Sequence, residues 1–345
     1  MNLEINVEQN SWLVNSLKDL NFGRIAKQEK LRIESSQRSF FRITSHDHNS
    51  LILMVVPHGI DESVSSFVDK AAIFKKYSVN VPNVYSYDLE LGLILVEDFG
   101  DKIYQYNLQE DPDYFYEKAI NELVNIQAIK KDINSFNRLD QKLLSENWIL
   151  FEDFFYRNFL ELSDNSILSL IKDKYEFVCG ELLNQPQVIC HYDFECRNLI
   201  LTSSGKAGVL DFQDALNGPI GLDLASLFKD LYYEWPQERV FKWYKIYLNK
   251  IKENLGIELK FETLVKYVDF ASIQRQVRIL GKLSQVFEEL DRKERLKDFP
   301  TLLGYLINTS AKYDELRNLS NGMTDLKNPL QNKMEAVLIL SLIHI

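Results

Sequence analysis

Residues 191–214 read HYDFECRNLILTSSGKAGVLDFQD. Two short apolar runs, LILT and AGVL, flank Ser203-Ser204-Gly205-Lys206, whose residue types favour a tight turn, so the segment is expected to form a β-hairpin. Folding it back on itself sets Asn198, at the start of one strand, beside Asp211, at the end of the other. An amide oxygen and a carboxylate then converge, which are donors that a hard cation such as Mg²⁺ accepts. Asp193 lies on the loop just before the first strand.

Phosphoryl transfer from ATP needs oxygen ligands for a metal–phosphate and one carboxylate to orient the acceptor hydroxyl and take its proton. Asp193 precedes Asn198 by five residues and Asp211 by eighteen. That spacing matches the protein-kinase plan of a catalytic-loop Asp and Asn followed by a metal-binding Asp, with Phe212-Gln213 where Phe-Gly stands in that plan. A single Asp or Asn in a loop is more often a turn or cap residue. Here the hairpin, the second Asp and the order of the surrounding elements all agree. His191 is expected to brace the loop. Asp223, in Gly221-Leu-Asp223, is expected both to cap a helix and to tie the loop down. Glu195 and Arg197 either touch substrate or are solvated.

Residues 11–20 carry a helical apolar face, and SFFRIT and SLILMVV then read as strands separated by HDHNS. Residues 62–77 return to a helical face, after which VPNVYSYD and LGLILVEDFG read as two further strands. From 101 the pattern is mainly helical, over 113–130, 140–162, 166–184, 223–232, 236–254, 261–287 and 300–313, with one β island at 188–210. The expected fold is α+β and two-lobed: a small β-rich nucleotide-binding lobe over 1–100 and a large helical catalytic and substrate lobe over 101–317.

With 46% hydrophobic and 26% charged residues, the composition is that of an ordinary globular protein. A net charge of −10 speaks against nucleic acid, whose binding rests on neutralising phosphates with Lys and Arg. The amino terminus MNLEINVEQNSWLV has no basic or apolar signal pattern, and no run reaches the roughly eighteen apolar residues of a membrane span. Cys179, Cys190 and Cys196 have no metal-ligand spacing. A cytoplasmic protein without a membrane partner is expected.

At these residues the chain resembles the aminoglycoside phosphotransferase family, which is protein-kinase-like. Within it, the chain is similar to a branch that phosphorylates the anomeric hydroxyl of N-acetylmuramate and N-acetylglucosamine in bacterial cell-wall recycling. The most specific stretch is VLDFQDALNGPIGLDLASLFKD at 209–230, supported by SSQRSFFRI at 35–43, VNVPNVYSYDLELGLILVEDFG at 79–100 and IQRQVRILGKLSQV at 273–286. The resemblance implies Asp193 as base, Asn198 and Asp211 as Mg²⁺ ligands, and the hinge run with Glu97 and Phe99 beside the adenine of ATP. Met54 stands where the wider superfamily has its phosphate-pairing Lys, an arrangement that the branch shares. The branch usually reads Met-Asp-Ala-Pro there, against Met54-Val55-Val56-Pro57 here. Arg38 is expected to supply the missing cation, with Arg42 as the next candidate. Gln213, Asp214 and Asn217 are expected to face the sugar acceptor.

A kinase for an aminoglycoside or another cationic molecule is the competing enzyme reading, but it would need more acceptor carboxylates than Glu195 and Asp214. A catalytically idle nucleotide-binding protein would be expected to lack at least one of the three catalytic groups. Residues 318–345 are expected to be a linker and a truncated or non-native tail. Ser320-Asn-Gly-Met reads as linker. Lys333–Leu340 resembles the first strand of sugar-1-phosphate nucleotidyltransferases, enzymes that would consume the kinase's product. Leu340–Ile345 reads as one frame of a transposon-end adaptor would.

Overall fold

A computed structural model describes residues 5–31, 38–57, 61–290 and 292–343. The chain forms two compact units, residues 1–126 with 196–215, and residues 127–195 with 216–345. The first unit thus runs past the expected boundary at 100 and includes the hairpin.

In the first unit, helix α1 (Val7–Asp19) starts at a capping box: the Asn6 side chain accepts from Gln9 N at 2.9 Å and Gln9 Oε1 accepts from Asn6 N at 3.0 Å. Strands β1 (Ile25–Leu31), β2 (Ser39–Ser45), β3 (Ser50–Val55), β4 (Val84–Asp88) and β5 (Leu93–Glu97) form an antiparallel sheet in the order β1-β2-β3-β5-β4. Side chains alternate across a strand, so Phe41, Ile43, Leu51, Leu53, Leu93 and Leu95 share one face and pack with Leu13 and Leu17 of α1. Helix α2 (Asp61–Lys76) buries Val64, Phe67, Ala71 and Phe74, and α3 (Tyr104–Asn107) and α4 (Pro112–Gln127) follow the sheet.

In the second unit, α5 (Gln141–Ile149) runs into a π-helix over Leu150–Phe159, where the sequence pattern leads to one α-helix across 140–162. Over ten residues the apolar repeat does not separate the two helix types. Helix α6 (Asn165–Leu183) and strand β6 (Gln187–Cys190) come next. The hairpin of the first unit is β7 (Leu199–Leu201) and β8 (Ala207–Val209). Strand β9 (Leu216–Pro219) pairs antiparallel with β6, a strand hidden in the sequence because LNGP has the composition of a turn.

Helices α7 (Leu222–Phe228), α8 (Gln237–Leu255), α9 (Phe261–Leu290) and α10 (Phe299–Ser310) follow in this unit. Helix α7 stops four residues short of the expected end. Lys229 leaves helical geometry and turns its ammonium to Asp269, with Ser272 Oγ and Thr309 Oγ1 each at 3.2 Å. At Gly281 of α9 an added Cβ would lie 2.5 Å from the backbone at Leu150 and Phe151, so only glycine allows this approach to the π-helix.

The expected linker at Ser320–Met323 is instead part of helix α11 (Arg317–Asp325), which buries Leu319 and Met323 completely and packs on α6 and α10. Residues 327–343 form helix α12 and not the expected strand, with Leu330 buried. The side chains of 338–345 lie outside the described residues. Among the described residues no helix is long and apolar enough to cross a membrane. Leu319→Ala, which opens a cavity in this packing, is expected to cost about 2–5 kcal/mol in chemical denaturation. A change below about 0.5 kcal/mol, the range of exposed positions, would show α11 to be dispensable.

Candidate active site

In the first unit the hairpin register pairs Leu199 with Val209, and Leu210 N donates to Asn198 O at 2.9 Å. Asn198 and Asp211 therefore lie at the same end of the hairpin. Asn198 is buried, whereas the Asp211 side chain is 47% exposed. Asp211 has a φ of 59°, the left-handed region that a residue with a Cβ enters only at a cost of about 1–3 kcal/mol. Its Oδ1 accepts from Arg38 Nη1 at 3.3 Å and from Gln213 Nε2 at 2.9 Å.

Helix α2 holds this segment in place. Phe212 is fully buried, stacked on Phe67 at 4.6 Å and tilted against Phe74 at 5.5 Å. The Gln213 carbonyl accepts from Ser66 Oγ at 2.9 Å and from the Lys70 ammonium, whose pKa burial lowers against a smaller opposing pull from Asp214. Gln213 Nε2 also reaches Asp214 Oδ2 at 3.1 Å. Gln213 is thus a buried brace, while Asp214 is exposed and Arg197 half-buried.

Met54 is buried on β3 opposite Phe40 and Ile94. Arg38 lies against Asp211, and the neighbouring residues 35–37 fall outside the described set. Arg42 is committed elsewhere: it pairs with Asp98 and Asp101 at 2.6 Å each and donates to Gly100 O at 3.0 Å, clamping the hinge run. Glu97 Oε2 accepts from Asn83 N and Nδ2 at 3.1 and 2.7 Å. The Phe99 ring rests on Gly208 of β8, where any Cβ would come within 2.5 Å of it.

In the second unit the loop after β6 carries Asp193. Asp223 of α7 lies beneath it, fully buried, and its carboxylate accepts from His191 N at 2.6 Å and Tyr192 N at 3.0 Å. Burial raises the Asp223 pKa to about 6, and the electrostatic interaction with His191 and the two N–H donors hold it from rising further. Gly221, not Asp223, is the cap of α7, so Asp223 serves the loop alone. His191 is buried with its ring edge against Phe194. Tyr192 has a φ of 81°, a true outlier for a bulky residue.

Two arginines of α9, three residues apart and so on one face, meet the loop. Arg278 Nη2 donates to Asp193 Oδ1 at 2.6 Å and its guanidinium lies 4.1 Å from the Tyr192 ring centre. Arg275 Nη2 donates to Glu195 Oε2 at 2.5 Å in a pair whose side chains are 1% and 6% exposed. Glu195, a sequence candidate for substrate contact, is therefore a buried partner of α9. Neither arginine was singled out from the sequence, although two charges at this spacing in the apolar helix pattern of IQRQVRIL were a visible signal. Arg275→Ala removes the guanidinium that meets the buried Glu195 carboxylate. It is expected to cost about 3–5 kcal/mol in denaturant unfolding, and a loss below 1 kcal/mol would contradict the pairing.

Residues 27–251 match the phosphotransferase enzyme family APH. The chain is 29% identical to the N-acetylmuramate/N-acetylglucosamine kinase of Pseudomonas aeruginosa over 327 residues, covering 92% of this chain and 95% of that protein. It is 31% identical to the N-acetylmuramate/N-acetylglucosamine kinase of Neisseria meningitidis over 290 residues, covering 82% and 85%. In fold it is similar to choline kinase LicA from Streptococcus pneumoniae, with a TM-score of 0.64 at 14% identity over 89% of this chain and all of that one. It is also similar to an ADP-bound aminoglycoside phosphotransferase, APH(2'')-Ib, with a TM-score of 0.60 at 15% identity over 90% and 98%. The chain is a small-molecule kinase of two-lobed, kinase-like fold and belongs to the phosphotransferase enzyme family, alongside the N-acetylmuramate/N-acetylglucosamine kinases.

Proposed function

We propose that this kinase transfers the γ-phosphoryl group of ATP to the anomeric hydroxyl of N-acetylmuramate or N-acetylglucosamine. Asp193 takes the hydroxyl proton as that oxygen bonds to phosphorus and the bond from phosphorus to the departing ADP oxygen breaks. Asn198 and Asp211 supply an amide and a carboxylate at one hairpin end, a donor set that fits Mg²⁺ completed by phosphate and water. The bound metal would neutralise charge on the phosphates. Glu97 and Phe99 belong to the hinge run proposed to meet adenine, where the Phe99 ring on Gly208 gives an apolar surface. Arg38 supplies the positive charge that Met54 cannot. Arg197 and Asp214 remain candidates for the acceptor.

The observation that carries the acceptor class is the charge around the proposed base. Glu195 is already neutralised by Arg275, and Arg278 adds a second guanidinium at Asp193. A cationic aminoglycoside or choline would meet arginine there. A neutral or acidic amino sugar would not be repelled, which agrees with the names of the two similar kinases. A cytoplasmic setting, and a sugar-1-phosphate nucleotidyltransferase acting on the product, complete this proposal for cell-wall recycling. The test is a panel of free sugars, choline and aminoglycosides with Mg–ATP, with linkage read by phosphorus NMR. An anomeric phosphate on an N-acetylated amino sugar supports the reading, and transfer to the cationic acceptors alone overturns it.

Two variants probe the residue roles. Asp193→Asn is expected to lower kcat roughly 10²–10⁴-fold with ATP affinity nearly unchanged, and near-normal turnover would remove Asp193 from the mechanism. Arg38→Ala is expected to raise the KM for ATP and lower kcat while the sugar KM stays put. Steady-state kinetics in which both ATP parameters match the parent would rule out a phosphate contact.

A further inference from the structure

We infer that Arg278 is a positioning residue for the phosphoryl-transfer step, holding the Asp193 carboxylate in the one orientation that serves the acceptor. The inference rests on the reading of Asp193 as base. A carboxylate on a loop can turn about its Cβ–Cγ bond, and a general base works only when the correct oxygen faces the hydroxyl. Arg278 restrains that rotation by its charge-assisted bond to Oδ1 at 2.6 Å.

The guanidinium is itself fixed. Its side chain is 14% exposed, it springs from helix α9, and its guanidinium carbon lies over the Tyr192 ring, 4.1 Å from the ring centre. Tyr192 is anchored in turn: its backbone N–H goes to Asp223, and Asn147 Nδ2 donates to its hydroxyl at 3.3 Å. Its φ of 81° is the strained conformation that puts the ring under Arg278 while the chain continues to Asp193. Asp223 thus fixes the loop backbone, and Arg278 fixes the orientation of the functional group at its tip. Arg275, one turn earlier, engages Glu195 in the buried part of the loop and serves only as scaffold. A lysine at 278 would keep the charge and lose both the planar stack and the fork.

The test is a kinetic double-mutant cycle on the full chain. Arg278→Ala should lower kcat on the order of 10²-fold, the cost of a misplacement near 1 Å, with little change in KM for ATP. Arg278→Lys should fall between the parent and Ala. Added guanidinium should restore part of the Ala variant's turnover and none of that of Asp193→Asn. Because Arg278 acts through Asp193, the double variant should be no slower than Asp193→Asn alone. Multiplying losses in the double variant, or a loss in Arg278→Ala that only follows the unfolded fraction in a thermal melt, would overturn the inference. If Arg278→Ala does not fold, Arg278→Gln, which keeps the packing stem, carries the same cycle. Should Asp193→Asn turn over normally, the base assignment itself fails, an outcome distinct from additivity.

Discussion

Two backbone N–H groups, those of His191 and Tyr192, converge on the buried carboxylate of Asp223. A carboxylate without solvent access is costly, and its raised pKa records that cost. The charge stays tolerable because the loop delivers donors to it, and the loop in turn keeps a shape with Tyr192 at positive φ because Asp223 is there. Everything proposed for Asp193 depends on this bond pair. It sets the backbone from which Asp193 and Glu195 project, two residues apart, towards two arginines three residues apart on a rigid helix.

The first unit uses a different device to hold its carboxylate. Helix α2 grips the segment after β8 directly. Two aromatic rings close on Phe212, while Ser66 and Lys70 share the Gln213 carbonyl. A lysine ammonium on a carbonyl dipole and a ring stack together form the mechanical link. This link to Asp211 involves no contact with Met54, and Arg38 is the cation proposed for the site.

Arginine chemistry also explains how one fold can serve acceptors of opposite charge. Sites for ammonium groups gather carboxylates or aromatic faces. In this chain the loop carboxylates Asp193 and Glu195 are each met by a guanidinium from α9. These two pairs are what supports the neutral or acidic sugar proposed as acceptor.

The hairpin at 199–209, with Asn198 and Asp211 at one end, was legible in the sequence because its information is local: two apolar runs, a turn and a fixed spacing. Strands β2 to β5 and the helix faces were legible for the same reason, since periods of two and 3.6 residues decide which side chains share a face, whereas the strand order was not. What tertiary structure alone decided lies at long separation. Arg275 meets Glu195 across 80 residues and Arg278 meets Asp193 across 85, and no periodicity encodes such a meeting. That is why Glu195 read as a possible substrate contact and is a buried counter-ion. Met323 was likewise unreadable as core, because Ser320-Asn-Gly-Met has the composition of a linker, and Leu319 borders that stretch. Their burial follows from the surface that α6 and α10 offer, and apolar area removed from water outweighs weak local propensity once such a surface exists.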